Sequence, residues 1–143
     1  MKVYISGPIT GVKGYMKHFA DAEAEIMAAG YTAINPAKVN AMLPPELSHA
    51  DYMATSIAML SICDVIYMLP GWQESRGCSI EFEYAYENGI TICFARQQDK
   101  EALIDGVEFG KDFGMEIAPE DFKEYKKCVL HFPEMCSTQS QNV

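Results

Sequence analysis

The sequence predicts a single α/β domain with a doubly wound parallel sheet of four to five strands. Short apolar segments alternate with longer segments whose apolar residues recur at helical spacing, which is typical of repeated β-α units. One of the short segments, Asp64–Leu69, is almost continuously apolar, as expected of a parallel strand buried on both faces. The length of 143 residues suits one domain of this flavodoxin- or Rossmann-like class.

The first two strands are predicted at Lys2–Ser6, which ends at a Gly-Pro pair, and at Tyr31–Ile34, which ends at an Asn-Pro pair. Between them the apolar spacing predicts a helix from Tyr15 to about Ala29, stopped by Gly30. The residues expected on the buried face of this helix are Met16, Phe19, Ala20, Ala24 and Met27.

Residues 36–49 contain Pro44-Pro45 and are expected to be irregular. A helix is predicted over 50–61, with Met53, Ile57 and Leu60 on one face. The third strand is 64–69.

The loop 72–76 then leads to a helix over 77–88 and a fourth strand over 90–95. Right-handed crossovers would join these units into one parallel sheet. The core is therefore expected to span residues 1–96.

The pattern weakens beyond this core. Residues 97–136 are interpreted as an extension of the same domain, and 137–143 as a disordered polar tail. Within the extension, 101–107 and 119–127 are candidate helices and 129–132 is a candidate edge strand.

Composition limits the classes of partner. The formal charge of −9 argues against binding a nucleic acid polymer or an anionic membrane, but not against binding one nucleotide. No apolar run approaches the roughly 20 residues that span a bilayer, and the N-terminal residues do not resemble a signal peptide. We therefore expect a cytoplasmic protein.

The metal-ligating residue types are not grouped. The five cysteines lack CxxC spacing and are expected to be reduced thiols, and the three histidines (His18, His49 and His131) have no spaced partners. The sequence therefore predicts neither a metal site nor a disulfide framework.

Two segments would border the crevice at the carboxyl ends of the strands if the first strand lies beside the third: Gly7–Gly14 and Met68–Gly77. The first is rich in glycine and carries Thr10, so its backbone could approach an anionic ligand, although a plain strand-to-helix turn is the competing interpretation. It matches neither a dinucleotide fingerprint nor a Walker loop.

The second segment carries Trp72, the only tryptophan, which could stack on a base or equally cover the edge of the core. Glu81 is placed in the first turn of the following helix, where the helix dipole would favour its ionised form. Glu83 and Glu87 lie nearby, and the helical pattern alone does not choose among the three.

Three motifs in order resemble the nucleoside 2-deoxyribosyltransferase superfamily: Tyr4-x-x-Gly7-x-Ile9-x-Gly11, then Cys63-Asp64-Val65, then Ser75-x-Gly77-x-x-x-Glu81-x-x-x-Ala85. Within it, the sequence is similar to the deoxynucleoside 5′-monophosphate N-glycosidases and to the DUF4406 group. Phrases such as ISGPITG and LPGWQESRGCSIEFEYA are typical of that group. The resemblance covers roughly residues 1–95.

This resemblance implies that Glu81 attacks C1′ of a deoxyribose and forms a covalent glycosyl-enzyme, with Tyr4 orienting it. It implies no cofactor. Ser75 stands where nucleoside-specific transferases tend to carry Asp and monophosphate hydrolases carry Ser, which favours a 5′-phosphorylated substrate. The substrate-binding residues expected on this basis are Gly7, Ile9, Thr10, Gly11, Ser56, Trp72, Ser75 and Gly77.

One position departs from the family. Ser56 stands where an Asp usually helps the base to leave, and Asp51 is not an obvious substitute. Three hypotheses therefore stay open: an N-glycosidase or deoxyribosyltransferase, a nucleotide-binding or sensing protein with little turnover, and an N-glycosidase for NAD or a derived signal nucleotide. The resemblance also implies a homodimer or larger homo-oligomer, with the helix at 50–62 as its interface.

Overall fold

The computed structural model describes residues 1–99 and 101 and confirms the predicted fold class. Within these residues, four strands form one parallel sheet: β1 (Lys2–Ser6), β2 (Thr32–Ile34), β3 (Val65–Met68) and β4 (Thr91–Phe94). Their order is β2-β1-β3-β4, so the first strand does lie beside the third, with Tyr4 opposite Ile66. The predicted extension, its edge strand and the tail fall outside the described residues, apart from 97–99 and 101.

Helices cover both faces of the sheet, because each strand is apolar on both sides. On one face, α1 (Tyr15–Ala28) and the short α2 (Pro36–Asn40) pack against Val3, Ile5 and Tyr67. On the other face, α3 (His49–Ser61) and α4 (Arg76–Glu87) pack against Tyr4, Ile66, Met68, Ile92 and Phe94.

The predicted buried face of α1 is wrong. Met16 and Met27 are exposed, and the buried residues are Phe19, Ala22 and Ile26. The predicted and the observed buried faces of α1 share Phe19 and are offset by about one residue. This offset corresponds to a rotation of about 100° about the helix axis. Methionine is tolerated on the surface, so its presence did not identify the core face.

One other local prediction needs correction. Residues 36–40, expected to be irregular, form α2, in which Pro36 occupies the first turn and the Asn35 side chain caps Lys38 N. Cys63 and Cys78 are free, as expected. Cys93 is fully buried in β4. Across residues 1–99 and 101, no helix has the length and apolarity to cross a membrane.

Candidate active site

A cavity of about 960 Å³ opens at the carboxyl ends of β1 and β3. Its walls come from the loop after β1, from α2 and α3, and from the start of α4. This is the switch point of the sheet, where β1 continues into α1 on one face and β3 continues into α4 on the other. The predicted site residues that line it are Tyr4, Gly7, Ile9, Thr10, Ser56, Ser75, Gly77 and Glu81.

Glu81 is the buried carboxylate of this cavity, with 7 % of its surface exposed. Glu83 and Glu87 are exposed on the same helix and do not line the cavity. The structure therefore distinguishes Glu81 from its neighbours, which the helical pattern did not. Because α4 begins at Arg76, Glu81 lies in the second turn rather than in the first turn as predicted, and the helix dipole acts on it only weakly.

Two hydroxyl groups of β1 hold the Glu81 carboxylate. The Tyr4 hydroxyl donates to Oε2, and the Ser6 hydroxyl donates to Oε1 at 3.1 Å. Residues two apart on a strand point to the same face of the sheet, so both side chains reach the α3–α4 layer. Each carboxylate oxygen thus has its own donor.

Burial controls the proton affinities of Glu81 and Tyr4. It raises the pKa of Glu81 to about 7, although the hydrogen bonds from Tyr4 and Ser6 favour the charged form and oppose this shift. Burial, followed by the nearby carboxylate, holds the pKa of Tyr4 well above its usual value. Tyr4 therefore remains a hydrogen-bond donor, and Glu81 exchanges a proton near neutral pH.

One face of α3 forms a wall of the cavity with His49, Tyr52, Met53 and Ser56, at helical spacing. Ser56 is buried, and its hydroxyl acts to lower the pKa of Tyr4. It therefore lies close to the tyrosine that holds the carboxylate, at the position where the resemblance would place an Asp. The sequence pattern did not indicate that His49 would line the cavity.

Asp51, more than one helical turn before Ser56, is bonded elsewhere. Its side chain accepts from Ser48 N at 2.9 Å while Asp51 N donates to Ser48 Oγ, which makes a capping box for α3. These hydrogen bonds lower the pKa of Asp51. The interpretation that Asp51 is not an obvious substitute for the missing Asp agrees with this geometry.

Ser75 is the N-cap of α4, and its Oγ accepts from Cys78 N at 3.3 Å. Its hydroxyl proton is not used by this bond and can be donated to a ligand. Gly77 follows in the first turn, where a Cβ would lie 3.4 Å from Met53 Sδ, so the glycine lets α3 and α4 approach closely. Arg76, beside them, is exposed and also lines the cavity.

The loop after β1 is shaped by packing as well as by the cavity. A Cβ on Gly7 would lie 2.8 Å from Leu69 Cδ1, so glycine is required there by the neighbouring strand end. Ile9 and Thr10 line the cavity. Gly11, predicted to bind substrate, does not line it, and its positive φ of 75° serves the turn.

Trp72 also differs from its predicted place in the binding site. Its indole is buried in the core, stacked on Phe82 with 5.0 Å between ring centroids and tilted against Phe94 at 5.7 Å. It does not line the cavity. Of the two interpretations left open by the sequence, the structure supports the one in which Trp72 covers the edge of the core.

Besides His49, two residues near Glu81 were missed by sequence reasoning. Ser6 follows Tyr4 by two positions, and Cys78 precedes Glu81 by three, so strand and helix periodicity could have found both. The Cys78 thiol is buried beside the Ser75 and Ser6 hydroxyls, and burial raises its pKa. In the part of the chain that the structure describes, no group of three or more His, Cys, Asp or Glu side chains could hold a metal ion.

Fold and site together define a doubly wound α/β protein with a buried carboxylate, held by a tyrosine, at the switch point of the sheet. The chain belongs to the DUF4406 family, a domain of unknown function, whose model matches residues 1–94. No curated protein matches the sequence.

Two solved structures are similar in fold. One is a 2-deoxyribosyltransferase from Bacillus psychrosaccharolyticus, with 16% identity and a TM-score of 0.55, covering 66% of this chain and 71% of that chain. The other is a CMP N-glycosidase from Clostridium botulinum, with 21% identity and a TM-score of 0.45, covering 66% and 67%. At 16% identity, the likeness to the first of these structures concerns the fold alone.

Proposed function

We propose that this protein cleaves the N-glycosidic bond of deoxynucleosides or their 5′-monophosphates, or transfers the deoxyribosyl group, through a covalent intermediate on Glu81. The observation that carries this proposal is the buried Glu81 carboxylate in the cavity, with one hydroxyl donor on each oxygen. The names of the two similar structures, a deoxyribosyltransferase and an N-glycosidase, agree with glycosyl chemistry.

In the proposed reaction, a Glu81 oxygen forms a bond to C1′ as the bond between C1′ and the base nitrogen breaks. The bonding electron pair leaves with the base, which takes up a proton. Water then attacks C1′, loses a proton and releases Glu81, or a second base does so in a transfer. Because only the ionised carboxylate is nucleophilic, activity is expected to rise as the pH passes through about 7, the pKa of Glu81.

The substrate's sugar-phosphate end is assigned to the start of α4. The Ser75 hydroxyl proton is not used by its bond with Cys78 N, and Arg76 supplies the positive charge that a phosphate requires. Thr10, across the cavity in the loop after β1, offers another hydroxyl. We therefore expect the protein to prefer a 5′-monophosphate to a free nucleoside as its substrate.

The test is a panel of deoxynucleosides, deoxynucleoside monophosphates and NAD, incubated with and without a free acceptor base and assayed for released base. Glu81→Gln is expected to lower release on the order of a thousand-fold or more, because the nucleophile is lost. Glu83→Gln, an exposed change on the same helix, is the matched control and should retain activity. Equal release by Glu81→Gln and wild type would remove Glu81 from this role.

Ser56 favours a second candidate function, nucleotide binding with little turnover. Among the described residues, the buried carboxylates are Glu81 and Asp99, and Asp99 is bonded to Arg96 and Gln73 away from the cavity. A serine is a poor acid for the leaving base. Tight nucleotide binding with no base released from any member of the panel would support this candidate instead.

A further inference from the structure

Ser6 is fully enclosed at the end of β1, with 1 % of its surface exposed. It does not line the cavity, so a substrate there does not reach it. Its hydroxyl nevertheless lies 3.1 Å from Oε1 of Glu81, on the oxygen that Tyr4 does not hold. Ser6 therefore acts on the reaction only through the side chains around it, and Glu81 is the one to which it donates a hydrogen bond.

We propose that Ser6 is a positioning residue for the nucleophile: together with Tyr4 it fixes both oxygens of Glu81 and presents the carboxylate to the cavity in one orientation. This inference rests on the proposed function. It adds a residue of β1 to the machinery, and no motif quoted from the sequence gave that residue a role.

The need for a second donor follows from the side chain of glutamate. Its terminal torsion is broad, so a carboxylate held through one oxygen can still turn. Donors on both oxygens, from two side chains anchored on one strand, remove that freedom. A nucleophile gains most when its attacking atom is already aligned, and small losses of alignment are costly.

Ser6 also lies close to a second side chain of α4. Its hydroxyl acts to lower the pKa of the buried thiol of Cys78, which lies one helical turn before Glu81 on α4. The hydroxyl thus faces two side chains of the same helix. Because β1 is buried within the sheet, this contact joins a rigid strand to the helix that carries the nucleophile.

The first test compares Ser6→Ala with wild type on the best substrate of the panel. We expect kcat to fall on the order of ten-fold with KM nearly unchanged, because Ser6 does not touch the substrate. The acid limb of kcat/KM should also move to higher pH, because a hydrogen bond that favours the ionised Glu81 is lost. Ser6→Thr, which keeps the hydroxyl on a β-branched side chain suited to a strand, should restore both.

The control is Ser61→Ala, which removes an exposed hydroxyl at the end of α3. It should change neither kcat nor the pH profile. A Ser6→Ala protein that folds and keeps the kcat and acid limb of wild type would overturn the inference. An increase in KM alone would also overturn it.

A second measurement separates this inference from the proposed function. The carboxyl carbon of Glu81 can be titrated by ¹³C NMR without substrate, with Glu81→Gln used to assign its signal. Ser6→Ala should raise the pKa of Glu81, and Ser6→Thr should not. If wild type releases no base but this shift is seen, the proposed function fails and the contact stands; if no shift is seen, the positioning role fails.

Discussion

At the scale of single residues, the main feature is a carboxylate that is buried yet able to ionise. The hydrophobic surroundings of Glu81 penalise its charge, whereas the hydroxyls of Tyr4 and Ser6 favour it. The outcome is a pKa of about 7, so the protonated and ionised forms have similar energies under physiological conditions. A group with this property suits a reaction in which it must be charged and then esterified.

This balance predicts a specific pH dependence of stability. The pKa of Glu81 rises from 4.5 to about 7 on folding. Its contribution to the free energy of unfolding is therefore fully present below pH 4.5 and is lost as the pH rises through about 7. At about 1.4 kcal/mol per pH unit, the loss amounts to roughly 3 kcal/mol. Glu81→Gln cannot ionise and should lack this loss.

The measurement is urea denaturation of both proteins between pH 4.5 and 8. Wild type should lose stability relative to Glu81→Gln as the pH rises. The exposed Glu83→Gln should follow wild type. Parallel curves for Glu81→Gln and wild type would show that the carboxylate does not titrate in this range.

At the scale of elements, the start of α4 has a structural role and, under the proposed function, a ligand-binding role. Ser75 caps the helix through its oxygen, and the proposal assigns its hydroxyl proton to a ligand. Gly77 and Met53 set how closely α3 approaches, and so where Ser56 meets Tyr4. The geometry around the nucleophile therefore depends on the packing of these two helices.

Ser75→Asp separates the two roles of Ser75. Aspartate is as good an N-cap as serine, so the free energy of unfolding should stay within about 0.5 kcal/mol of wild type. Its negative charge should repel a phosphate and lower kcat/KM for monophosphates on the order of ten-fold or more, with little effect on free nucleosides. Ser75→Ala should instead cost about 1 kcal/mol of stability.

Steady-state kinetics on matched nucleoside and monophosphate pairs will check this prediction. Equal losses for both substrates would contradict the assignment of the phosphate to Ser75. A preference of wild type for free nucleosides would contradict it as well.

The elements show what the sequence could predict. All four strands and the three long helices were located within about two residues, because apolar runs and Gly or Pro punctuation are local signals. The buried face of α1 and the placement of Trp72 were not predicted correctly, since both depend on which surfaces meet in three dimensions. The role of Glu81 came from motif spacing, but its partner Ser6 appears only when β1 is set against α4.

At the scale of the whole molecule, one cavity and an acidic surface together limit what can bind. The chain carries a formal charge of −9, yet its cavity is lined by Arg76 and several hydroxyls. A mononucleotide can enter such a site, whereas an extended polyanion would meet repulsion along the surface. Under the proposed function, we expect the cavity to bind a small anion in preference to a polymeric one.

A thermal-shift experiment tests this selection. With Glu81→Gln, which leaves the substrate intact, a deoxynucleoside monophosphate at a hundred times its Kd should stabilise the fold by about 2.7 kcal/mol. That corresponds to a rise in Tm of about 5–10 °C for a chain of this size. A single-stranded DNA oligomer at the same nucleotide concentration should have little effect, and an equal shift with the oligomer would contradict the prediction.

The hydrogen bonds of Glu81 with Tyr4 and Ser6 also have a consequence for how the protein folds. Glu81 is separated from Tyr4 by 77 positions and from Ser6 by 75, so no fragment that lacks either β1 or α4 contains the site. Closing a loop of that length costs roughly 4 kcal/mol of chain entropy, which the pairing of β1 with β3 and the packing of α4 must offset. During synthesis, the carboxylate can acquire its hydroxyl donors only after the whole β1-to-α4 unit has left the ribosome, so the site forms only with the completed topology.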